Sequence, residues 1–342
     1  MNEMMRAAVL EQFGQPLHVK KVPRPEPGPG EALVKICASG LCMTDVHIAE
    51  GMIASVKLPY IPGHEMAGIV ERLGDGTEGP AVGTHVICGI DIVCGHCRLC
   101  YGGRENLCRE RVRIGFERNG SHAEYAVVPV RNLFPIAEKV PMEQACVIPD
   151  AVACMLHAIT DIGQTVPGEN ALIYGVGGLG FQGIQILRHI GTSIYAASRT
   201  EAKLEEARKL GADATINTRQ QDLVSEIRRL TNNEMMDVIF DLVGNQESTE
   251  LLLNCLRPGG RIVAVAYAVP QFSGNYQELV IKEKQVLGIR GSTRQNMLDS
   301  IRMVEDGIIV PTITGSFSLE EINDALKILK ENRGMGRNVI VL

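Results

Sequence analysis

The chain has 342 residues, enough for two domains with a sizeable core in each. Hydrophobic residues make up 45% and charged residues 22%, the balance of a soluble globular protein, and a net charge of -6 without a basic tract argues against a nucleic-acid partner. No uninterrupted apolar run is long enough for a membrane span and the N-terminus "MNEMMRAAVLEQFG" lacks the apolar core of a signal peptide. The ten cysteines are therefore expected to be reduced thiols or metal ligands in a cytoplasmic protein without a membrane partner.

To about residue 150 the chain is rich in Gly and Pro and holds short β-branched runs such as "EALVKICAS", "AGIVERLG" and "THVICGI". These predict a compact, loop-rich, mostly β domain. From about residue 170 the texture changes. "NALIYG" predicts a buried strand, "GLGFQGIQILRHI" a helix, and "SIYAAS" a second strand. "TEAKLEEARKLG" follows as a helix with Thr200 as its N-cap candidate and Gly211 as its stop. "DVIFDLVG" and "GRIVAVA" are further strands, separated by "QESTELLLNCLRPG", a predicted helix ended by Pro258 and Gly259. Strands alternating with helices predict an α/β, doubly wound parallel sheet. Two helical segments follow, "RQNMLDSIRMVEDG" and "SLEEINDALKILKEN". The closing "RNVIVL" is a strand with too few neighbours to stand alone and is returned to the first domain.

"YGVGGLG" lies between a predicted strand and a helix, with Gly175, Gly177 and Gly180 at G-x-G-x-x-G spacing and Gly178 between them. The first glycine allows the tight turn, the second lets backbone approach a pyrophosphate, and the third permits close helix–strand packing. The helix N-terminus then offers N–H groups to the phosphates, so a dinucleotide is expected here. At the end of the second strand an acid would select NAD. The chain reads "AASRT" there, and a Ser198 hydroxyl beside the Arg199 guanidinium suits a 2′-phosphate, with Lys203 one helical turn on as the alternative cation. NADP(H) is predicted over NAD(H).

In "CGHCRLCYGGRENLC", Cys94, Cys97, Cys100 and Cys108 offer four thiolates and no open position, the pattern of a closed tetrahedral zinc site that stabilises a fold. An iron–sulfur cluster also takes four cysteines and is the rival occupant. A second constellation lies in "GLCMTDVH" and "PGHEMAG": Cys42 as a soft ligand, Thr44 and His47 as hydroxyl and imidazole able to pass a proton, and His64 with Glu65 after a Pro–Gly turn. Taken singly, Cys42 also reads as a small core residue, His64 as a turn histidine and Thr44 as an N-cap.

Taken together, "GLCMTDVH", "GHEMAG", the four-cysteine lobe, "GVGGLG" and "GRNVIVL" resemble, in order and over essentially the whole chain, the zinc-dependent medium-chain alcohol dehydrogenases. The resemblance implies a GroES-like, mostly β catalytic domain over 1–151 and 290–342, with the zinc lobe at 94–108, and a Rossmann domain over 152–289. It implies two zinc ions per chain, the catalytic one on Cys42 and His64 with Glu65 able to enter its shell. It assigns Thr44 and His47 to a proton relay and Asp45 to the acid beside His64, with Arg337 as that acid's C-terminal partner and a cofactor contact. Many members place a third ligand cysteine before the Rossmann domain. Here "VIPDAVACMLHAI" puts Asp150 in that register, as in a subset that includes NADP-specific secondary-alcohol dehydrogenases, while Cys146 and Cys154 lie nearby.

The implied chemistry is hydride transfer between an alcohol and the nicotinamide, with zinc as Lewis acid. Met52 and Ile90 stand where ethanol-preferring members carry aromatic residues, so a secondary, cyclic or longer-chain alcohol is expected. An NAD-dependent polyol or threonine-type dehydrogenase is the alternative, and a non-catalytic nucleotide sensor is the alternative of another class. Relatives of this length imply a homotetramer or homodimer acting on a small molecule.

Overall fold

The computed structural model describes residues 3–245, 248–267, 273–331 and 333–342. The chain forms two compact units, Met1–Ala153 with Ser292–Leu342, and Cys154–Gly291.

The first unit is built on a seven-stranded sheet whose longest member is Glu31–Leu41. This strand pairs antiparallel with Glu65–Leu73, Tyr125–Pro129 and Arg337–Val341, so its neighbours come from distant parts of the chain. The terminal strand Arg337–Val341 also pairs, in parallel, with Ile313–Phe317. Ala32, Val34 and Ile36 pack with Met66, Val70, Val86 and Val128 on one side of the core. A second cluster gathers Leu10, Leu41, Ile48, Tyr60, Phe116 and Ile340, with Ile90 packed against it.

The helical stretch Met142–Ile162 is long and apolar enough, by length and composition, to cross a membrane, and 78% of its apolar window is buried inside the fold. Its acids Glu143, Asp150 and Asp161 interrupt any apolar run in the sequence, and its burial marks it as a core helix.

The second unit holds six parallel strands in the order Ala214–Asn217, Ser193–Ser198, Asn170–Tyr174, Met236–Asp241, Leu256–Ala264 and Gln285–Gly288. The order reverses beside Asn170–Tyr174, the switch point at which such sheets bind ligands beyond their carboxyl ends. The expected helix through Pro258 stops earlier: Ser248–Cys255 is helical, and Leu256 already pairs with Met236 ahead of a register shift. Gln246 and Glu247 of that expected helix lie outside the described residues.

Candidate metal centres and dinucleotide site

Strand register assembles one site in the first unit. Gly40, next to last in Glu31–Leu41, lies opposite Glu65, and Leu41 lies opposite Asn338, the neighbour of Arg337. Cys42 follows directly and opens the helix Met43–Ala49 in extended geometry (φ -121°, ψ 158°). Asp150 comes from a π-helical turn, Ile148–Val152, a rare widening of the helix that recurs at functional sites. The result is that one ligand atom from each of Cys42, His64, Glu65 and Asp150 lies within 4.8 Å of the others. Cys42 Sγ and Asp150 Oδ2 are 3.6 Å apart.

Thiolate, imidazole and carboxylate together are the donor types that zinc takes in catalytic sites. Cys42, His64 and Glu65 are buried; neither Glu65 carboxylate oxygen accepts a well-formed hydrogen bond among the described residues, although Oε1 is ion-paired with Arg337. Such buried, unsatisfied acceptors fit a cation. Arg337 donates to Asp150 Oδ2 at 2.6 Å and lies 2.9 Å from Glu65 Oε1. Burial pushes the Cys42 thiol pKa up, but the Arg337 charge and the contact with His64 together outweigh it and the net shift is downward. Burial keeps Glu65 well above the usual carboxyl range despite Arg337. For His64, burial is overcome by the neighbouring Asp45 carboxylate, and the net shift is upward. The lowered Cys42 pKa favours the thiolate that a metal needs, whereas the raised His64 pKa makes metal and proton compete for the imidazole.

Asp45 is buried behind His64. Its Oδ2 accepts from the Cys42 backbone N–H at 2.8 Å, and its Oδ1 lies 3.4 Å from His64 Nδ1. The expected pairing of Asp45 with Arg337 does not occur, and Arg337 is instead sealed against Glu65 and Asp150 with its side chain only 5% exposed. The register that places Asn338 opposite Leu41 sends Arg337 to the ligand side of the cluster. Thr44 Oγ1 is 3.5 Å from Cys42 Sγ, and His47 lies three residues further along the same helix, half-buried.

Sequence reasoning passes over two neighbours of this centre. Phe116 packs on His64 with ring centroids 5.3 Å apart, and the Arg113 guanidinium lies over the Phe116 ring, 4.0 Å from its centroid. His122 Nε2 is 3.7 Å from Asp45 Oδ1. Their only sequence signal is a histidine and an aromatic flanking a Gly-rich turn, "GFERNGSHAEY". Met52 is exposed and Ile90 packs into the core cluster.

The four-cysteine lobe is a second cluster. Sγ–Sγ separations are 3.8 Å for Cys94–Cys100, 3.5 Å for Cys97–Cys100 and 3.6 Å for Cys94–Cys108. Disulfides are far shorter, at about 2.05 Å. A tetrahedron with metal–sulfur bonds of about 2.3 Å has edges of roughly 3.8 Å, so these thiols are spaced for zinc. Cys97 is drawn down to about 7, chiefly by the Cys100 backbone N–H, which prepares its thiolate. The lobe is anchored at Cys108, whose carbonyl accepts from Arg111 at 3.0 Å, and at Glu105, which accepts from the Arg294 backbone. His96 is exposed, with its ring 3.1 Å from the Cys94 carbonyl and 4.0 Å from Glu110.

In the second unit the three loop glycines meet three different environments. Gly175 has φ +98°, where a side chain is strained, and its Cβ would lie 2.7 Å from Val243. Nothing lies within 4 Å of a Cβ on Gly177, so its backbone faces open space. A Cβ on Gly180 would meet the Gly175 carbonyl at 3.0 Å and Ile173 at 3.2 Å, where helix packs on strand. Gly178 lies between them in the same turn and its carbonyl accepts from Gln182 at 3.3 Å. Ser198 ends its strand, and its Oγ accepts from Thr200 N at 3.3 Å, which leaves the hydroxyl proton to donate. Arg199 is exposed and Lys203 is buried; burial and then the Arg199 charge lower the Lys203 pKa, so the two cations crowd one another. The nearby acid Glu201 is turned to Asn217 and Arg208, each at 3.0 Å.

Residues 28–138 match the alcohol dehydrogenase GroES-like domain and residues 178–306 the zinc-binding dehydrogenase family. An alcohol dehydrogenase of Geobacillus stearothermophilus is 32% identical over 338 residues, covering 98% of this chain and 99% of that one. An L-threonine 3-dehydrogenase of Pyrococcus horikoshii is 31% identical, covering 96% and 97%. A crystal structure of an NAD-dependent alcohol dehydrogenase superposes with a TM-score of 0.94 at 31% identity, covering 99% of this chain and all of that one. The chain belongs to the medium-chain dehydrogenase/reductase family, among its zinc-type alcohol oxidoreductases acting on small molecules with a nucleotide cofactor.

Proposed function

We propose that the protein interconverts a secondary, cyclic or longer-chain alcohol and its carbonyl compound with NADP(H), using one zinc on Cys42, His64 and Asp150 and a second on the cysteine lobe. The observation that carries this reading is the buried convergence of Cys42, His64, Glu65 and Asp150 within 4.8 Å, with the Thr44 hydroxyl 3.5 Å from Cys42 Sγ. When bound there, zinc supplies a Lewis acid to the substrate oxygen.

The chain's own residues do the rest. Cys42, His64 and Asp150 hold the ion, and Arg337 offsets the carboxylate charge that crowds it. Thr44 receives the alcohol proton and passes it towards His47, one turn along the helix, in the manner of general acid–base catalysis. The open backbone at Gly177 and the N-terminus of the helix Gly180–Ile190 receive the pyrophosphate. The named NAD-dependent relative leaves cofactor choice to this chain's own residues. Here Ser198 as donor and the crowded cations Arg199 and Lys203 favour a 2′-phosphate.

A threonine-type activity is the second reading, supported by the L-threonine 3-dehydrogenase relative. The test is a panel of primary, secondary, cyclic and polyol alcohols, with L-threonine and the matching ketones, assayed with NADPH and NADH in parallel. Turnover confined to L-threonine with NADH would replace the first reading by the second.

A further inference from the structure

His122 is fully buried, and nothing in the metal or cofactor reading uses it. Its ring spans two partners. On one side Nδ1 is 2.9 Å from Ser39 Oγ, which is itself 2.6 Å from Ser121 Oγ. On the other, Nε2 is 3.7 Å from Asp45 Oδ1, the same oxygen that lies 3.4 Å from His64 Nδ1. These three atoms, Asp45 Oδ1, His64 Nδ1 and His122 Nε2, are all sealed from solvent and none has a hydrogen-bond partner among the described residues; their mutual contacts, 3.4 Å and 3.7 Å, are those of a loose ion-pair cluster. Two imidazole nitrogens therefore face one carboxylate oxygen, without a hydrogen-bond partner among the described residues.

The proton arrangement follows from the donors available. If Ser121 donates to Ser39 and Ser39 to Nδ1, the ring is neutral with its proton on Nε2. If the ring is an imidazolium, Ser39 accepts from Nδ1 and passes its own proton to Ser121, which lies 3.5 Å from the Glu65 carbonyl. Both arrangements put a proton on Nε2. The remaining tautomer would set a bare nitrogen lone pair against the buried Asp45 carboxylate, which is unfavourable in a low-dielectric interior.

We propose that His122 is a positioning residue of the metal centre: its Nε2–H and the Nδ1–H of His64 converge on Asp45 Oδ1, so that His122 holds the carboxylate that leaves His64 Nε2 free for the metal. Metal-binding histidines generally donate their other ring N–H to such a group, and the group's own support sets how well the ligand is oriented. The backbone is built for this placement. His122 N donates to Pro62 O at 3.0 Å and Ser121 N to Gly63 O at 2.9 Å, which ties the segment to the residues leading into His64. A Cβ on Gly63 would lie 2.8 Å from both His122 N and Nδ1, so only glycine lets the two segments approach this closely.

The proposal rests on the reading of Cys42, His64 and Asp150 as a zinc centre, and the experiment separates the two. Zinc is first counted in the unmodified holoprotein: a single zinc per chain, carried by the lobe, would remove the metal reading itself. Zinc release to a chromogenic chelator is then followed for His122→Gln, His122→Asn and His122→Phe, with the lobe zinc and thermal unfolding as internal controls. Glutamine carries an amide N–H near the position of Nε2, whereas asparagine reaches only that of Nδ1. His122→Asn and His122→Phe should weaken zinc retention at the Cys42 centre by about 10- to 100-fold, and His122→Gln should restore it, with the lobe zinc unchanged. If His122→Phe does not fold, the Asn and Gln variants still decide. Equal zinc retention in the Asn variant and the unmodified protein overturns the proposal. Equal loss in the Asn and Gln variants does so too, because it marks a packing role.

Discussion

Gly40 and Glu65 face one another across two antiparallel strands, and a Cβ on Gly40 would lie 2.1 Å from Glu65 Oε2. The missing side chain at Gly40 is the space in which the Glu65 carboxylate sits beside Cys42, His64 and Asp150.

Gly40→Ala should therefore displace a fully buried carboxylate rather than a flexible surface group. Overpacking of this kind costs about 1–3 kcal/mol. The expected result is a lower unfolding temperature together with reduced zinc at the Cys42 centre, read by calorimetry and elemental analysis. An unchanged zinc count and melting temperature would show that Glu65 can move aside freely.

Arg199→Ala should weaken NADPH while leaving NADH nearly unchanged, because only the 2′-phosphate loses a partner. Charge-assisted bonds of about 1.5–3 kcal/mol correspond to a tenfold or larger change. Ser198→Asp should go further and reverse the preference, by repulsion of the phosphate. The ratio of kcat/KM for the two cofactors on one substrate is the readout, and a ratio at or below one in the unmodified protein removes the NADP reading.

Acid should loosen the support behind His64. Burial raises the Glu117 pKa, but bonds from Arg113 and Ser55 outweigh it and hold it at about 2. A depressed carboxyl pKa adds stability above the ordinary value of 4.5, and that stability is lost as pH falls from 4.5 towards 2. Arg113 also packs over Phe116, the ring that touches His64. Glu117→Gln should thus cost on the order of 1 kcal/mol near neutral pH, and the gap from the unmodified protein should narrow at about pH 3. Melting temperatures at the two pH values check this, and a gap that stays constant would contradict it.

Cys97→Ser should remove the lobe zinc and destabilise the first unit, because a closed thiolate site contributes folding free energy directly. Zinc content and unfolding temperature should fall together. A variant that loses the metal and keeps its stability would make the lobe dispensable.

The features legible in the sequence are those whose parts lie close along the chain. Cys94, Cys97, Cys100 and Cys108 lie within fifteen residues, and the Gly175–Gly180 turn is a single strand-to-helix connection. The Cys42 centre is readable through motif resemblance, since its members Cys42, His64 with Glu65, and Asp150 arrive from three separate segments. What stayed hidden depends on register and long-range packing. "RNVIVL" reads as a strand, but only its pairing with Leu41 and Gly40 decides that Arg337 meets Asp150 and Glu65 rather than Asp45. His122 and Phe116 carry no periodicity or spacing that ties them to His64. The helix ends before the Pro258 that the sequence marks as its stop, because Leu256 pairs with Met236 in the neighbouring strand, a tertiary contact that overrides local helix preference.

The central claim is that alcohol oxidation runs at the Cys42 centre, and the most direct measurement is turnover of a good secondary alcohol with NADP by Cys42→Ser beside the unmodified protein. Zinc content and cofactor binding are measured on the same samples. The account predicts a folded variant that binds cofactor, keeps the lobe zinc, loses the other zinc and shows no measurable turnover. Near-normal turnover by Cys42→Ser would contradict it.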